Sequence, residues 1–371
     1  MTRGIYFMLL YFRRLNYRYA LAAALLVASI PLAQAADPKT AEEVYKNIVQ
    51  LKGTPADQIM PAMQFISVSL GVQCNFCHVQ GDFASDDKPA KKTAREMMAM
   101  QAMINKTSFN GRQQVTCYSC HRGVEHPASV PAVLESDTAP SEPKPMAPPT
   151  AGQGPTTDEI IAKYVTALGG PDAIRKVTSR VEKGTILANG RENPIEVFTQ
   201  APNKRITVTH MGNGESLTAF DGAAGWMGNT GRPARSMSPA ESWASSIDAQ
   251  FDLALNLKEM FPQIRRTRPE TIDGKECATL QATAPGHPPV RFSFDRATGL
   301  LVREVRYADT PVGRMPTQID YADYRDADGV KIPYRWTLSR PNGRFTIQIK
   351  EVESNVEIKP DRFAKPEAEA Q

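Results

Sequence analysis

The sequence predicts a multidomain chain, α plus all-β: a small helical module, a Pro-rich linker, then a curved antiparallel β half-barrel with a leading helix. Three observations predict it. Residues 40 to about 126 carry apolar side chains at helical spacing. Residues 127–155 contain eight prolines among Ala, Ser and Gly. Residues 156–365 open with one helix and then break into short alternating segments separated by Asp-Gly and Asn-Gly pairs.

The N-terminus reads as an export signal. Arg13, Arg14 and Arg18 flank the apolar run from Ala20 to Ile30, which is too short to span a bilayer comfortably. Ala33-Gln34-Ala35 is a small-x-small cleavage site, so residues 1–35 are expected to be a signal peptide and the mature chain to begin at Ala36. The stretch from Gly4 to Phe12 is also apolar, and an uncleaved segment tethering the protein to a membrane is the alternative. No Cys stands at the cleavage point, so no lipid anchor is expected. The formal charge of +4 comes from the leader: residues 1–36 hold four arginines and no acidic residue, leaving 40 basic and 40 acidic residues beyond them. A balanced mature chain gives no reason to expect nucleic acid or an anionic membrane surface as partner.

Three amphipathic helices are expected between 40 and 126. Val44, Ile48 and Leu51 stand on one face of the first, with Gly53 as its stop. The second runs from about Pro55 to Leu70, with Ile59, Met63, Ile66 and Leu70 in a stripe and Gly71 closing it. The third runs from about Pro89 to Asn105, with Ala90, Ala94, Met97, Gln101 and Ile104 in line.

Two copies of one motif carry the chemistry: Cys74-Asn-Phe-Cys77-His78 and Cys117-Tyr-Ser-Cys120-His121. Cys-x-x-Cys-His is the spacing of c-type haem attachment. Two thiols add across the two vinyl groups of one porphyrin, and the His turns under the ring to bind iron. The copies lie 43 residues apart and use four of the five cysteines. A zinc site or a pair of disulfides has no use for a His directly after the second Cys in both copies. Two covalently attached haem c groups are therefore expected, with cofactor-binding residues Cys74, Cys77, His78, Cys117, Cys120 and His121. Export suits them, because this attachment takes place outside the cytoplasm, and a periplasmic location is expected. Cys277 stands alone in a strand-like segment and reads as a buried, inert thiol.

Methionine thioether is a common sixth ligand to haem iron. Met63 lies on the inner face of the second helix, and the third holds Met97, Met98, Met100 and Met103. Periodicity alone leaves the choice among these open. Arg95, Lys91, Lys92 and Arg122 are candidates to pair with haem propionates. His126 follows the second motif closely and is a competing ligand, although an exposed polar position is expected; His210 and His287 have no ligand partners at useful spacing.

Leu70-Gly-Val-Gln-Cys-Asn-Phe-Cys-His78, Asp82-Phe-Ala-Ser-Asp-Asp-Lys-Pro, Ala94-Arg-Glu-Met97, Ile104-Asn105 and Val115-Thr-Cys-Tyr-Ser-Cys-His-Arg-Gly123 together resemble the cytochrome c subunit of photosynthetic reaction centres. The resemblance covers about residues 58–124. It implies that the Met ligand sits on the helix before each motif: Met63 for the first haem, with Met60 as alternative, and Met97 for the second. The metal ligands implied are thus His78, Met63, His121 and Met97. The chain departs from the family's four-haem members in having two motifs, and no His lies between Lys106 and Val115 to supply a bis-His haem. What is implied is a dihaem cytochrome c domain over 36–126, not a light-driven reaction-centre partner.

After the linker, strands are expected at 180–186, 195–199, 204–209, 217–220, 278–283, 290–295, 301–307, 318–324, 334–339 and 344–351. Alternation is clearest in Val290, Phe292, Phe294 and in Phe345, Ile347, Ile349. Turns are expected at Asn189-Gly190, Asp221-Gly222, Asp273-Gly274, Asp328-Gly329 and Asn342-Gly343. About ten antiparallel strands with few helices make a strongly curved sheet or open barrel. Ala167-Leu-Gly-Gly170, Phe220-Asp-Gly222 with Gly225-Trp226, Phe294-Asp-Arg-Ala-Thr-Gly-Leu-Leu301, and Asp323-Tyr-Arg325 leading to Gly329-Val-Lys-Ile-Pro333 resemble the lipoprotein-carrier-like half-barrels. That resemblance implies a hydrophobic ligand on the concave face. Trp226, Trp243 and Trp336 read as core or cavity lining. No nucleophile with a paired His, no metal cluster and no phosphate loop is legible.

The expected function is electron transfer through two His/Met-ligated haems, with redox proteins or membrane electron donors as partners and no enzymatic activity. The alternatives are a haem peroxidase or sensor, which needs one displaceable distal ligand, and a lipid- or quinone-binding protein that carries a redox module.

Overall fold

The computed structural model describes residues 39–127, 154–188, 190–341 and 343–366. The expected signal peptide, linker residues 128–153, and the asparagines Asn189 and Asn342 of two expected turns lie outside them.

Helix α1 covers only Ala41–Val44, capped by Thr40, whose backbone N–H donates to Glu43 Oε2 over 2.6 Å. The expected helix up to Gly53 does not form. Tyr45 is extended and Asn47 has φ of 59°. The Asn47 amide donates to the Ala84 carbonyl and Asp86 Oδ1 at 2.6 and 2.9 Å, and its carbonyl accepts from Arg95 at 3.0 Å. These bonds reach residues about forty positions away, and they outweigh one more helical turn. Val44 is exposed as a result, while Leu51 is buried separately.

A 3₁₀ turn at Ala56–Gln58 leads into α2, Ile59–Leu70. Gly71 ends it at φ 68°, a left-handed cap that suits glycine. The buried face of α2 is Ile59, Ala62, Phe65 and Ser69. The expected stripe of Ile59, Met63, Ile66 and Leu70 is thus rotated: Met63 and Ile66 border the core rather than fill it. The first motif forms one helical turn, α3, Cys74–Cys77. Helix α4, Pro89–Ser108, has proline in its first turn, where the missing N–H costs nothing. It buries Lys91 and Asn105, and Met98 rather than Met97 meets the core cluster. The second motif forms α5, Cys117–His121.

Helices α6, Thr157–Ala167, and α7, Pro171–Lys176, open the second region. Thr156 and Glu159 make a capping box at the start of α6. The fourteen strands form one antiparallel sheet: β1 Ser179–Ala188, β2 Arg191–Gln200, β3 Lys204–Met211, β4 Gly214–Phe220, β5 Gly225–Asn229, β6 Arg232–Ser236, β7 Gln263–Arg266, β8 Glu270–Ile272, β9 Lys275–Thr283, β10 Val290–Asp295, β11 Leu301–Thr310, β12 Gly313–Ala327, β13 Val330–Arg340 and β14 Gly343–Ser354. The order is β6-β5-β4-β3-β2-β1-β14-β13-β12-β11-β10-β9-β7, with β8 also on β9. The sheet is open, because β6 and β7 do not pair with each other, so it is a half-barrel as expected. All ten expected strands are present; β5 to β8 were not foreseen. Two helices of the β5–β9 stretch were missed as well: α8, Pro239–Ala249, and α9, Leu253–Met260. Together with α6 and α7 they pack on the sheet. Phe261 sits edge-on to Phe292 and Trp243 at the centre of the main core.

The hairpin β11–β12 joins the two regions. Its tip places Val312 and Met315 in one cluster with Ala41, Leu51, Ile59, Ala62 and Phe65. Phe65 lies over Gly313 so closely that a Cβ there would stand 2.1 Å from the ring. Gln113 donates to the Pro311 carbonyl over 2.8 Å. Helices and sheet belong to one compact unit that begins at Thr40.

Candidate functional site

Each Cys-x-x-Cys-His copy is a single helical turn, which puts its two thiols at i and i+3 on one side. All four thiols are free. Burial pushes the Cys77 and Cys117 thiols up.

The two histidines share one geometry. His78 Nδ1 lies 3.1 Å from the Phe83 carbonyl, and His121 Nδ1 lies 3.1 Å from the Val124 carbonyl. A carbonyl only accepts, so each Nδ1 carries the proton and donates it. Each Nε2 is then left with its lone pair. A backbone anchor on one ring nitrogen that fixes the tautomer for the other is the arrangement of metal-binding histidines.

The loop that holds His78 is itself held by Lys91. This lysine is 8% exposed. Its ammonium donates to the carbonyls of Phe83, Ala84 and Ser85 at 3.1, 3.0 and 2.7 Å and pairs with Asp86 at 3.1 Å. Arg95 adds two 3.0 Å bonds to the Asp86 carboxylate. Arg95 first and Lys91 second hold the Asp86 carboxyl down at about 2. Lys91 and Arg95 were candidates to pair with propionates; in the structure both are bonded to this loop. Lys92 and Arg122 are exposed.

The segment before the second motif is pinned from α4. Asn105 donates to the Val115 carbonyl at 2.7 Å and accepts from the Gln114 and Val115 N–H groups at 3.1 and 2.9 Å. Gln101 donates to the same carbonyl at 2.6 Å. The end of α2 meets the second motif: Gly123 N–H donates to Ser69 O at 2.8 Å, and a Cβ on Gly71 would stand 2.1 Å from Gly123 O. The two motifs are therefore braced against each other through backbone.

Met63 borders the core cluster on α2, and Met97 is 40% exposed on α4. Met60, the alternative to Met63, is more exposed than either. Phe83, Met100, Met103, Tyr118 and Val124 are also exposed around the motifs. So much apolar surface on a small module marks a place where something apolar binds. Among the described residues, no three His, Cys, Asp or Glu side chains converge on a bare ion. The paired thiols, the free Nε2 atoms and the apolar surround fit a covalently held porphyrin with a protein-supplied fifth ligand.

The other histidines lie elsewhere. His126 is exposed beside Glu125, and His210 sits between Glu196 and Glu215 at 3.4 and 3.1 Å. His287 stacks on Trp243 at 3.9 Å. Cys277 is fully buried, as expected. Trp226 is core and donates to the Phe363 carbonyl.

Trp243 and Trp336 line a cavity of about 590 Å³ inside the half-barrel. Its walls are the sheet, α8 and, from the helical region, Gln58, Pro61 and Gln64. At its side lies an ionic group that sequence reasoning missed. Arg306 bonds Asp248 through both nitrogens, at 2.9 and 2.8 Å, and lies 3.3 Å from Glu304. Asp248 is on α8 and the other two on β11. The only hint in the sequence was the spacing of Glu304 and Arg306, which puts both on the same face of β11.

A sequence model of the photosynthetic reaction centre cytochrome C subunit family matches residues 10–162. The photosynthetic reaction center cytochrome c subunit of Thermochromatium tepidum is 38% identical over 101 residues, covering 26% of this chain and 25% of that protein. Cytochrome c-554 of Chloroflexus aurantiacus is 35% identical over 82 residues, covering 20% of each. The chain thus spans a quarter or less of these two relatives. Among solved structures, a LolA superfamily protein of Nitrosomonas europaea aligns with TM-score 0.41 and 12% identity, over 57% of this chain and 99% of that one. An outer membrane lipoprotein-sorting protein domain of Vibrio parahaemolyticus aligns with TM-score 0.39 and 12% identity, over 51% and 90%. Values this low carry no ligand or activity across. The segment of residues 10–162 is similar to the photosynthetic reaction centre cytochrome c subunit family, and the sheet that follows resembles the lipoprotein-carrier half-barrels.

Proposed function

We propose that this chain is an exported, periplasmic dihaem c-type cytochrome that carries electrons between redox proteins or membrane donors, and not an enzyme. The observation that carries the reading is the shared histidine geometry: in both motifs Nδ1 is spent on a backbone carbonyl 3.1 Å away, leaving Nε2 for iron. Bound haem would supply one-electron Fe(III)/Fe(II) chemistry. The chain's own residues do the rest. Cys74 and Cys77, and Cys117 and Cys120, tether one group each. Lys91 and Arg95 hold the loop that orients His78, and Asn105 with Gln101 holds the approach to the second motif. Met63 and Met97 are the proposed sixth ligands, from the resemblance to reaction-centre cytochromes. A thioether on each iron would leave no open position for substrate, and that would favour a carrier over a peroxidase or sensor.

The test is an optical spectrum of the reduced, exported protein with and without carbon monoxide, beside haem-to-protein stoichiometry. Two covalent haems per chain that resist carbon monoxide are expected. One haem per chain overturns the dihaem reading, and rapid carbon monoxide binding moves the peroxidase or sensor reading ahead.

A further inference from the structure

Two arginines face the half-barrel cavity without an acceptor. Across the paired strands β1, β2 and β3, Arg180 stands opposite Thr199, and Thr199 opposite Arg205. All three line the cavity, so one row of the concave face reads Arg, Thr, Arg. Two strand spacings put the arginine Cα atoms about 10 Å apart, which lets both side chains reach one headgroup between them. Among the described residues, neither guanidinium makes a hydrogen bond or an ion pair, and Arg180 Nε is buried. The Arg180 guanidinium lies 5.2 Å from the centre of the Phe251 ring, a contact that offers no oxygen. Burial pulls Arg180 down; Glu182 and Asp252 act against this through space without pairing with it. A buried donor in that state is costly, and native proteins give it a water or a ligand.

Most other charges of the lining are matched elsewhere. Glu241 pairs with Arg235 at 2.8 Å and Asp309 with Arg314 at 2.6 Å, and both of these arginines lie outside the lining. Arg306 holds Asp248 and faces Glu304, and Arg340 adds a second cation that feels Asp248. Arg180 and Arg205 are left with Glu182, which is 6% exposed, one row further along β1, and in no ion pair. Two guanidiniums against one carboxylate leave one positive charge in this part of the wall. Asp252 lies outside the lining and acts on Arg175 as well as Arg180. A carboxylate brings one negative charge and accepts from the guanidinium fork. A phosphate monoester brings nearly two. Beyond Thr199 the same face of β2 continues as Val197 and Ile195, about 13 Å of strand, with Ile347 and Trp336 lining the cavity from β14 and β13. The cavity volume is in the range of small-molecule sites.

We propose that this cavity binds a single-chain fatty carboxylate, with its headgroup between Arg180 and Arg205 and its apolar chain along Val197 and Ile195 toward Trp336. A hydrophobic ligand was expected of the concave face; the two unpaired arginines give that ligand a charge and a direction. The proposal concerns the cavity alone and stands whether or not the haem assignment does.

The experiment is isothermal titration calorimetry on the full exported protein at neutral pH, with decanoate, 1-decanol and acetate as probes. Decanoate is expected to bind one-to-one, at least tenfold more tightly than 1-decanol and at least a hundredfold more tightly than acetate. Arg180→Met and Arg205→Met should each weaken decanoate at least tenfold and leave 1-decanol within threefold. Glu182→Gln removes the competing carboxylate and should strengthen decanoate at least threefold. Opposite signs at one patch cannot come from a damaged fold, and the Glu182 variant still decides the matter if an arginine variant fails to fold. Four results would each overturn the proposal: 1-decanol binding as tightly as decanoate, acetate doing so (an adventitious anion only), decanoate affinity unchanged in all three variants, or no binding of decanoate (water alone satisfying the arginines).

Discussion

Replacing Lys91 by Met tests the support of the first motif. Met keeps most of the aliphatic stem and removes the ammonium. Lost with it are the bonds to the carbonyls of Phe83, Ala84 and Ser85 and the ion pair with Asp86. Hydrogen bonds to a charged donor contribute about 1.5–3 kcal/mol each. Water recovers part of that, because Phe83 is exposed and Asp86 is partly so and keeps Arg95. A net loss of about 2–4 kcal/mol is therefore expected, concentrated in the 83–86 loop as a local opening. The Phe83 carbonyl also accepts from His78, so the imidazole should lose orientation with the loop. The assay is urea unfolding followed at the haem absorbance, with imidazole binding to the first haem as the local readout. Lys92→Met, on the neighbouring exposed position, should stay within about 0.5 kcal/mol of wild type. A Lys91→Met loss below about 1 kcal/mol, or one no larger than that of Lys92→Met, would refute the reasoning.

Gly71→Ala places a Cβ 2.1 Å from Gly123 O at a left-handed φ of 68°. The two motifs should separate, with a loss of about 2 kcal/mol or more and altered spectra at both haems. Arg306→Met leaves Glu304 buried without its cation, while Asp248 is partly open to solvent, and thermal unfolding should report a loss of about 3 kcal/mol. Asp86 titrates from about 2 in the fold, below its unfolded value. The stabilisation it brings is thus complete above its unfolded value and is lost as pH falls toward 2. Imidazole binding at the first haem should rise over that interval, and the Asp86→Asn protein should show no such step. Met63→Ala and Met97→Ala should each open one haem to external ligand and lower its potential; unchanged spectra in both would remove the axial assignment.

The sheet was legible where residues alternate, as in Phe345, Ile347 and Ile349. Strands β5 and β6 gave no such signal: Gly225-Trp-Met-Gly-Asn229 is short, and Arg232-Pro-Ala-Arg-Ser236 has a proline and no large apolar side chain. Apolar spacing suggested a long first helix, but Asn47 found partners in the 84–95 region that only the folded chain brings near. The motif residues were readable because covalent chemistry fixes their spacing. The role of Lys91 was not, since a lysine on a helix looks the same whether it faces water or the three carbonyls of a loop. Glu304 and Arg306 were read simply as part of a strand, and the other partner of Arg306, Asp248, lies in a helix the sequence did not reveal.

The hairpin tip that reaches Phe65 also bears on how the protein is made. Val312 and Met315 finish a core whose other members, Ala41 to Phe65, leave the ribosome some 250 residues earlier. Until β11 and β12 are threaded, the helical region has an open side, and contacts this distant in sequence are slow to form. The Cys-x-x-Cys-His turns are local in sequence, although Cys117 also packs against this cluster once it closes. Attachment of the prosthetic groups can therefore precede closure of the core, on a chain whose thiols the attaching machinery still reaches. A truncation that ends before β11 should accept both groups and yet be easily digested, a separation of modification from maturation that a self-contained cytochrome would not show.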